Sequence, residues 1–169
     1  SGDQERVISL SGMRRALPDR VRLLSGPGCA ASICPADDLY QAIQLARRHP
    51  VTLLVAENML RLPLGGYVEG ARSLLAAGAD GADVRPVSAP AAAVLVAQGE
   101  PQRQMVFFAA GFETLLAPLA GMVLEGLPDN LSLLLCGRRV EPLLERALAS
   151  TDPGFDALQW GGQAHLAPY

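Results

Sequence analysis

Gln104-Met105-Val106-Phe107-Phe108-Ala109-Ala110-Gly111-Phe112-Glu113-Thr114 runs straight into Leu115-Leu116-Ala117-Pro118-Leu119-Ala120-Gly121-Met122-Val123-Leu124-Glu125, and Gly126 follows. The first part holds a short apolar run, the form taken by a strand covered on both faces. The second reads as a helix over 114–125, stopped by Gly126, with Pro118 placed in its first turn. A strand, a tight turn and a helix, in that order, form the unit that repeats along this chain.

Outward from that unit, strands are predicted at 20–25, 51–56, 83–88, 104–109, 130–136 and 155–160. Helices are predicted between them. Over 36–48, Leu39, Ala42, Ile43 and Ala46 fall on one helical face. The segment 66–77 reads as a helix stopped by Gly78. Pro90 opens a helix that ends before Gly99, since proline suits a first helical position. Over 139–149, Val140, Leu143, Leu144 and Ala147 share a face. Apolar strands alternating with helices imply an α/β fold with a mostly parallel sheet covered on both sides. In such sheets sites gather at the carboxyl ends of the strands.

Composition sets the outer bounds. Half of the 169 residues are hydrophobic and few are aromatic, enough for one compact domain or two small lobes sharing an interface. A net charge of -3 and a pI near 5.3 argue against nucleic acid as a partner. The pairs Arg14-Arg15, Arg47-Arg48 and Arg138-Arg139 read as helix ends and solvated faces. No stretch approaches a membrane span, and a cytoplasmic protein is expected. Three cysteines, Cys29, Cys34 and Cys136, make no disulfide framework, which fits a reducing compartment.

The second informative stretch is Leu24-Ser25-Gly26-Pro27-Gly28-Cys29. It follows an apolar run and precedes a helix near Pro35-Ala36-Asp37-Asp38. Cys29 is therefore expected just past a strand, in a tight turn that Gly26 and Gly28 permit and Pro27 restricts. A helix N-terminus close by favours a thiolate. Read without function, Gly-Pro-Gly is only a turn and Cys29 a small buried apolar residue.

These residues, with three further segments, resemble the HypD family of nickel–iron hydrogenase maturation factors. Leu23 to Cys29 is similar to the family's Gly-Pro-Gly-Cys-Pro-x-Cys segment. Ala82-Asp83-Val84-Arg85 with Ser88-Ala89-Pro90 resembles Ala-Asp-Val-Arg-x-Val-x-Ser-Pro. Val106 to Thr114 resembles Val-Phe-Phe-Ala-x-Gly-Phe-Glu-Thr-Thr, and Asn58-Met59-Leu60-Arg61-Leu62-Pro63 resembles Asp-Met-x-Arg-Val-Pro. The order and approximate spacing agree over about 21–162, which corresponds to the first half or so of a full family member.

The resemblance implies a Rossmann-like architecture with two small α/β lobes around a cleft, 1–65 and 66–160, and a tail, 161–169, returning to the first lobe. The residues alone fit a single doubly wound sheet equally well. It also implies a scaffold on which an iron atom gains cyanide and carbonyl ligands, working with a HypC-like chaperone. The family's iron thiols come from a Cys-Gly-Thr-His motif and from the Cys-x-x-Cys of the Gly-Pro-Gly-Cys segment.

This chain departs from those motifs. Cys29 matches the first cysteine, Ser32 stands where the second should be, and Cys34 falls two residues further on. Ser11 and Arg14 stand for the upstream cysteine and histidine. Leu135-Cys136-Gly137-Arg138 lies where the family has Ser-Asn-His-Lys, and Gly161-Gly162-Gln163 where it has Pro-Gly-His. Serine is a poor ligand for low-valent iron, so the replacements weaken the site. No iron–sulfur cluster is expected.

The candidate site is therefore Cys29 as contact thiol, with Glu113 as a nearby acid or acceptor. Gly26, Pro27, Gly28, Ser32, Gly111, Phe112 and Thr114 shape the turn or cleft, and iron is expected through Cys29, with Cys34 as a second ligand candidate. Read structurally, Glu113 caps the next helix and Cys136 is a small buried residue. His49 reads as a surface charge, His165 as part of a glycine-flanked tail, Trp160 as a core or interface anchor and Gly65-Gly66 as a turn.

The leading expectation is a scaffold or accessory protein in hydrogenase maturation that binds a partner or an iron-ligand fragment. Candidate partners are a HypC-like chaperone, the maturation complex or the hydrogenase large subunit. The alternatives are a thiol-dependent enzyme using Cys29 on another substrate and a non-catalytic interaction module.

Overall fold

In the computed structural model, which describes residues 2–26, 28–66, 69–152 and 154–157, the chain is α/β. Four strands form one parallel sheet: β1 (Thr52–Ala56), β2 (Val84–Val87), β3 (Met105–Gly111) and β4 (Leu131–Gly137). Their order is β2-β1-β3-β4. Leu53 lies opposite Val84 on one side and Val106 on the other, and Phe108 lies opposite Leu134. The sheet unites strands from both sides of residues 65–66, since β1 sits between β2 and β3.

Among the described residues there are eight helices: α1 (Gly2–Leu10), α2 (Met13–Ala16), α3 (Ala30–Ile33), α4 (Ala36–Arg48), α5 (Leu74–Ala79), α6 (Pro90–Gly99), α7 (Glu113–Glu125) and α8 (Val140–Leu148). None is long and apolar enough to cross a membrane.

The central strands β1 and β3 are buried on both faces because the sheet is covered on both sides, whereas Leu135 of edge strand β4 is exposed. Leu53, Val55, Phe108, Ala110 and Cys136 join a core with Leu39 and Ile43 of α4 and Leu74 and Ala77 of α5. Leu54, Phe107 and Ala109, one position out of phase, join Ala93 and Ala97 of α6 and Leu119 of α7. The connection from β1 to β2 runs one way along the sheet and those from β2 to β3 and β3 to β4 run the other. Right-handed crossovers put the helices of opposite directions on opposite faces. The reversal lies between β1 and β3, where α/β folds open a crevice at the carboxyl edge.

Several expectations are corrected. Residues 20–25 form no strand; Arg20 lies in a turn, 21–25 are in no regular element, and Val21 and Leu24 are exposed. Val21, Leu23 and Leu24, interrupted by Arg22, suggest a strand but supply no neighbouring backbone to pair with. Of the predicted helix at 66–77, residues 66 and 69–73 are not helical, 67–68 lie outside the described residues, and the helix begins only at α5. Gly66 and Gly70 sit at positive φ, and Ser73 starts the helix by accepting a hydrogen bond from Ala76 N at 3.1 Å. Gly78 lies within α5 and not beyond it; Gly81, at φ 100°, makes the turn. Helix α7 begins at Glu113, so Pro118 falls in its second turn. Strands β3 and β4 both run on to a glycine, Gly111 and Gly137. Of the predicted strand at 155–160, residues 155–157 are not in a strand and 158–160 lie outside the described residues.

The Ala-Asp-Val-Arg segment serves the amino edge of the sheet. Asp83 accepts a hydrogen bond from Thr52 Oγ1 at 2.7 Å and pairs with Arg85 at 2.8 Å and Arg103 at 3.1 Å. Arg85 also reaches Glu100 at 2.6 Å. The Arg85 guanidinium holds the Asp83 carboxyl below the usual carboxylate range. This network ties the starts of β1 and β2 to the loop before β3, at the end of the sheet opposite the candidate site.

Candidate functional site

Cys29 is the N-cap of α3, not the residue after a strand. The missed element explains how it is nevertheless positioned. Helix α3 packs on β3 and on the 3-10 turn Glu57–Met59 that follows β1. Those are the two strands flanking the reversal, so the Cys29 turn sits at the carboxyl edge where the crevice is expected.

Ser32 builds that turn. Its hydroxyl accepts from Gly28 N and Cys29 N, both at 3.1 Å, and donates to Cys29 O at 2.8 Å. Ser32 Oγ also lies 3.5 Å from Cys29 Sγ. A residue three positions past the N-cap that reaches back to the cap's N–H is the capping-box arrangement. The serine at the position of the family's second cysteine is thus occupied with backbone. Cys29 is half-buried, Gly26 is exposed, and Pro27 lies outside the described residues.

The N-terminal arm reaches the same turn. Glu5 of α1 accepts from Ser25 Oγ at 2.6 Å and pairs with Arg14 of α2 at 2.6 Å. Arg14, Ser25 and Ser9 together hold the Glu5 carboxyl at about 2, from an ordinary 4.5. Ser11, at the place of the family's upstream cysteine, donates to Ile8 O at 3.2 Å.

Glu113 opens α7 directly past β3. Its Oε1 accepts from Val140 N at 2.7 Å, so it caps α8 across the gap between β3 and β4. One carboxylate thus sits at two helix N-termini, where backbone N–H groups and the helix dipoles favour negative charge. Its Oε2 is buried without a hydrogen-bond partner. Gly111 O accepts from Arg138 N at 2.9 Å, Phe112 is the half-buried N-cap of α7, and Thr114 is exposed. A side chain at Gly111 would meet Leu115 at 2.9 Å. Glu113→Ala is expected to cost about 1–2 kcal/mol, because Val140 N–H loses its partner. Glu113→Gln keeps a carbonyl acceptor and should cost less than about 1 kcal/mol. Urea midpoints together with amide exchange at Val140 check the pair; equal losses would refute the capping role.

A second cluster was not anticipated. Cys34 ends α3, and its Sγ lies 3.7 Å from Cys136 Sγ near the end of β4. Asp38 of α4 pairs with Arg138 at 3.3 Å beside them. Burial pushes both thiols up, Cys136 further, with the Asp38 carboxylate adding to the shift. Sequence gives no signal for this meeting, since parallel-sheet topology alone brings the two cysteines together. No group of three or more His, Cys, Asp or Glu side chains able to hold a metal occurs among the described residues. His49 caps the end of α4 and lines a depression of about 590 Å³ at the amino edge with Arg47, Thr52, Asp83 and Arg103. His165, Trp160 and residues 161–163 lie outside the described residues.

Comparison with known proteins agrees with this frame. The family model described as "HypD: Hydrogenase formation hypA family" matches residues 1–166. Over 124 residues the chain is 44% identical to "Hydrogenase maturation factor HypD" of Azotobacter vinelandii, covering 73% of this chain and 31% of that protein. It is 35% identical over 173 residues to "Hydrogenase maturation factor HypD1" of Bradyrhizobium diazoefficiens, and 31% identical over 169 residues to "Hydrogenase maturation factor HypD" of Escherichia coli, covering 98% of this chain and 44% of each relative. The chain therefore spans less than half the length of these relatives. The motif-bearing turns around Cys29 and Glu113, the colinear match over nearly every residue and these identities place the chain in the HypD family.

Proposed function

We propose that this chain serves nickel–iron hydrogenase maturation as an accessory protein that holds a maturation partner, first of all a HypC-like chaperone, at the Cys29 turn. The observation that carries the reading is the state of that turn. The turn is set at the sheet reversal, while Ser32 spends its hydroxyl on Gly28 and Cys29 backbone. Iron, as cargo, would find one soft donor in Cys29, because the Cys34 thiol lies against Cys136. A single soft donor suits contact with a partner better than sole custody of a metal. The matched relatives, whose names are those of hydrogenase maturation factors, support the same reading.

The test is anaerobic co-expression with the host's HypC-like chaperone and hydrogenase large subunit, followed by co-purification, iron analysis and infrared spectroscopy of metal-bound cyanide and carbonyl. The expected result is a complex that Cys29→Ser weakens at least about tenfold. A chain that retains none of these partners overturns the proposal. A thiol-dependent enzyme is the second reading. Among the described residues it has no histidine base beside Cys29: His49 lies at the amino edge of the sheet.

A further inference from the structure

We propose that Cys34 and Cys136 are a redox pair, converted by a low-molecular-weight disulfide into one intramolecular disulfide that locks the Cys29 turn to the carboxyl end of β4. The two Sγ atoms are already 3.7 Å apart, although 102 positions separate them in the chain. They approach from different elements, the end of α3 and the end of β4, and both belong to the same packed core. A small side-chain rotation closes such a gap to bonding distance. The approach does not depend on the thiols alone. The Asp38–Arg138 ion pair, at 3.3 Å, bridges the same two segments and holds them together.

Burial assigns the order of events. Cys34 is half-buried and Cys136 buried. The Cys34 thiolate attacks the external disulfide, forming a mixed disulfide and expelling one thiolate. The Cys136 thiolate then attacks Cys34 Sγ, forming the Cys34–Cys136 bond and releasing the second thiol. The protein loses two electrons and two protons, and the external disulfide gains both. Cys29, five residues before Cys34, stays out of the bond, so oxidation fixes the position of its turn without consuming its thiol. The inference is independent of the maturation reading, because it concerns the chain's own chemistry.

The test treats the purified full chain with excess oxidised glutathione, alkylates remaining thiols and maps peptides without reduction. The expected product links the peptides holding Cys34 and Cys136, leaves Cys29 outside the crosslink and raises Tm by about 5–10 °C, since a long loop is closed. Cys136→Ser should trap glutathione on Cys34, and Cys34→Ser should leave Cys136 reduced. A Cys29–Cys34 bond, an intermolecular bond, or no protein disulfide under large excess of oxidant each overturns the proposal.

Discussion

Phe108→Ala is expected to lower stability by about 3–5 kcal/mol, among the largest losses for any single truncation in this chain. Phe108 is 1% exposed and sits in β3, between Val55 of β1 and Leu134 of β4. Its side chain enters the core shared with α4 and α5. Removing the ring forfeits its transfer free energy and leaves a cavity that a parallel sheet pinned on both sides closes poorly. Phe112→Ala, at a half-buried helix cap two residues from the end of the same core run, should cost clearly less. Urea denaturation checks both: the Phe108→Ala midpoint should fall with the slope unchanged. A loss below about 1 kcal/mol would mean that this face of the sheet is not close-packed.

The same run explains why the fold was readable. A strand buried on both faces must be apolar at every position, and 105–111 announces that directly. Helix α4 was equally plain, because its inward residues recur at helical spacing and its ends carry Asp37, Asp38, Arg47 and Arg48 in the order the dipole favours. The failures share a cause. Residues 20–25 and 69–73 have local patterns compatible with regular structure, but no neighbour completes them. A ladder partner or a helix-covering surface is a tertiary fact, and a local window does not contain it.

The site was legible in its turns and illegible in its pairings. Cys29 and Glu113 were singled out by the family resemblance and by an expected place just past a strand, which Glu113 has and Cys29 does not. The four-residue α3 was missed, since one turn of helix leaves no periodicity to read. Glu113 was readable as a cap, yet its partner is Val140, 27 positions later, brought close only by the adjacency of β3 and β4. The meeting of Cys34 with Cys136 belongs to the same class. Sequence shows which groups need partners, and topology decides which partners they receive.

Asn130→Asp should be more destabilising than Asn130→Ala, though aspartate matches the native side chain in shape. Asn130 is 7% exposed and stands just before β4. Its Nδ2 donates to Ala97 O at 3.0 Å, Glu100 O at 3.1 Å and Arg103 O at 2.9 Å, tying the end of α6 and the loop before β3 to β4. Alanine leaves those carbonyls short of a donor, a loss of about 2–3 kcal/mol. Aspartate does more harm, because it aims a carboxylate oxygen at three carbonyl oxygens and buries a charge that nothing balances. The sign with pH separates the two variants. In the Asn130→Asp protein the carboxyl is driven toward its neutral form, which restores one O–H donor. That variant should therefore gain stability relative to Asn130→Ala as pH falls from 7 toward 4 and lose it again as pH rises. Parallel urea titrations at several pH values give the answer. A gap between the variants that does not change with pH would show that the amide is not the donor the geometry makes it.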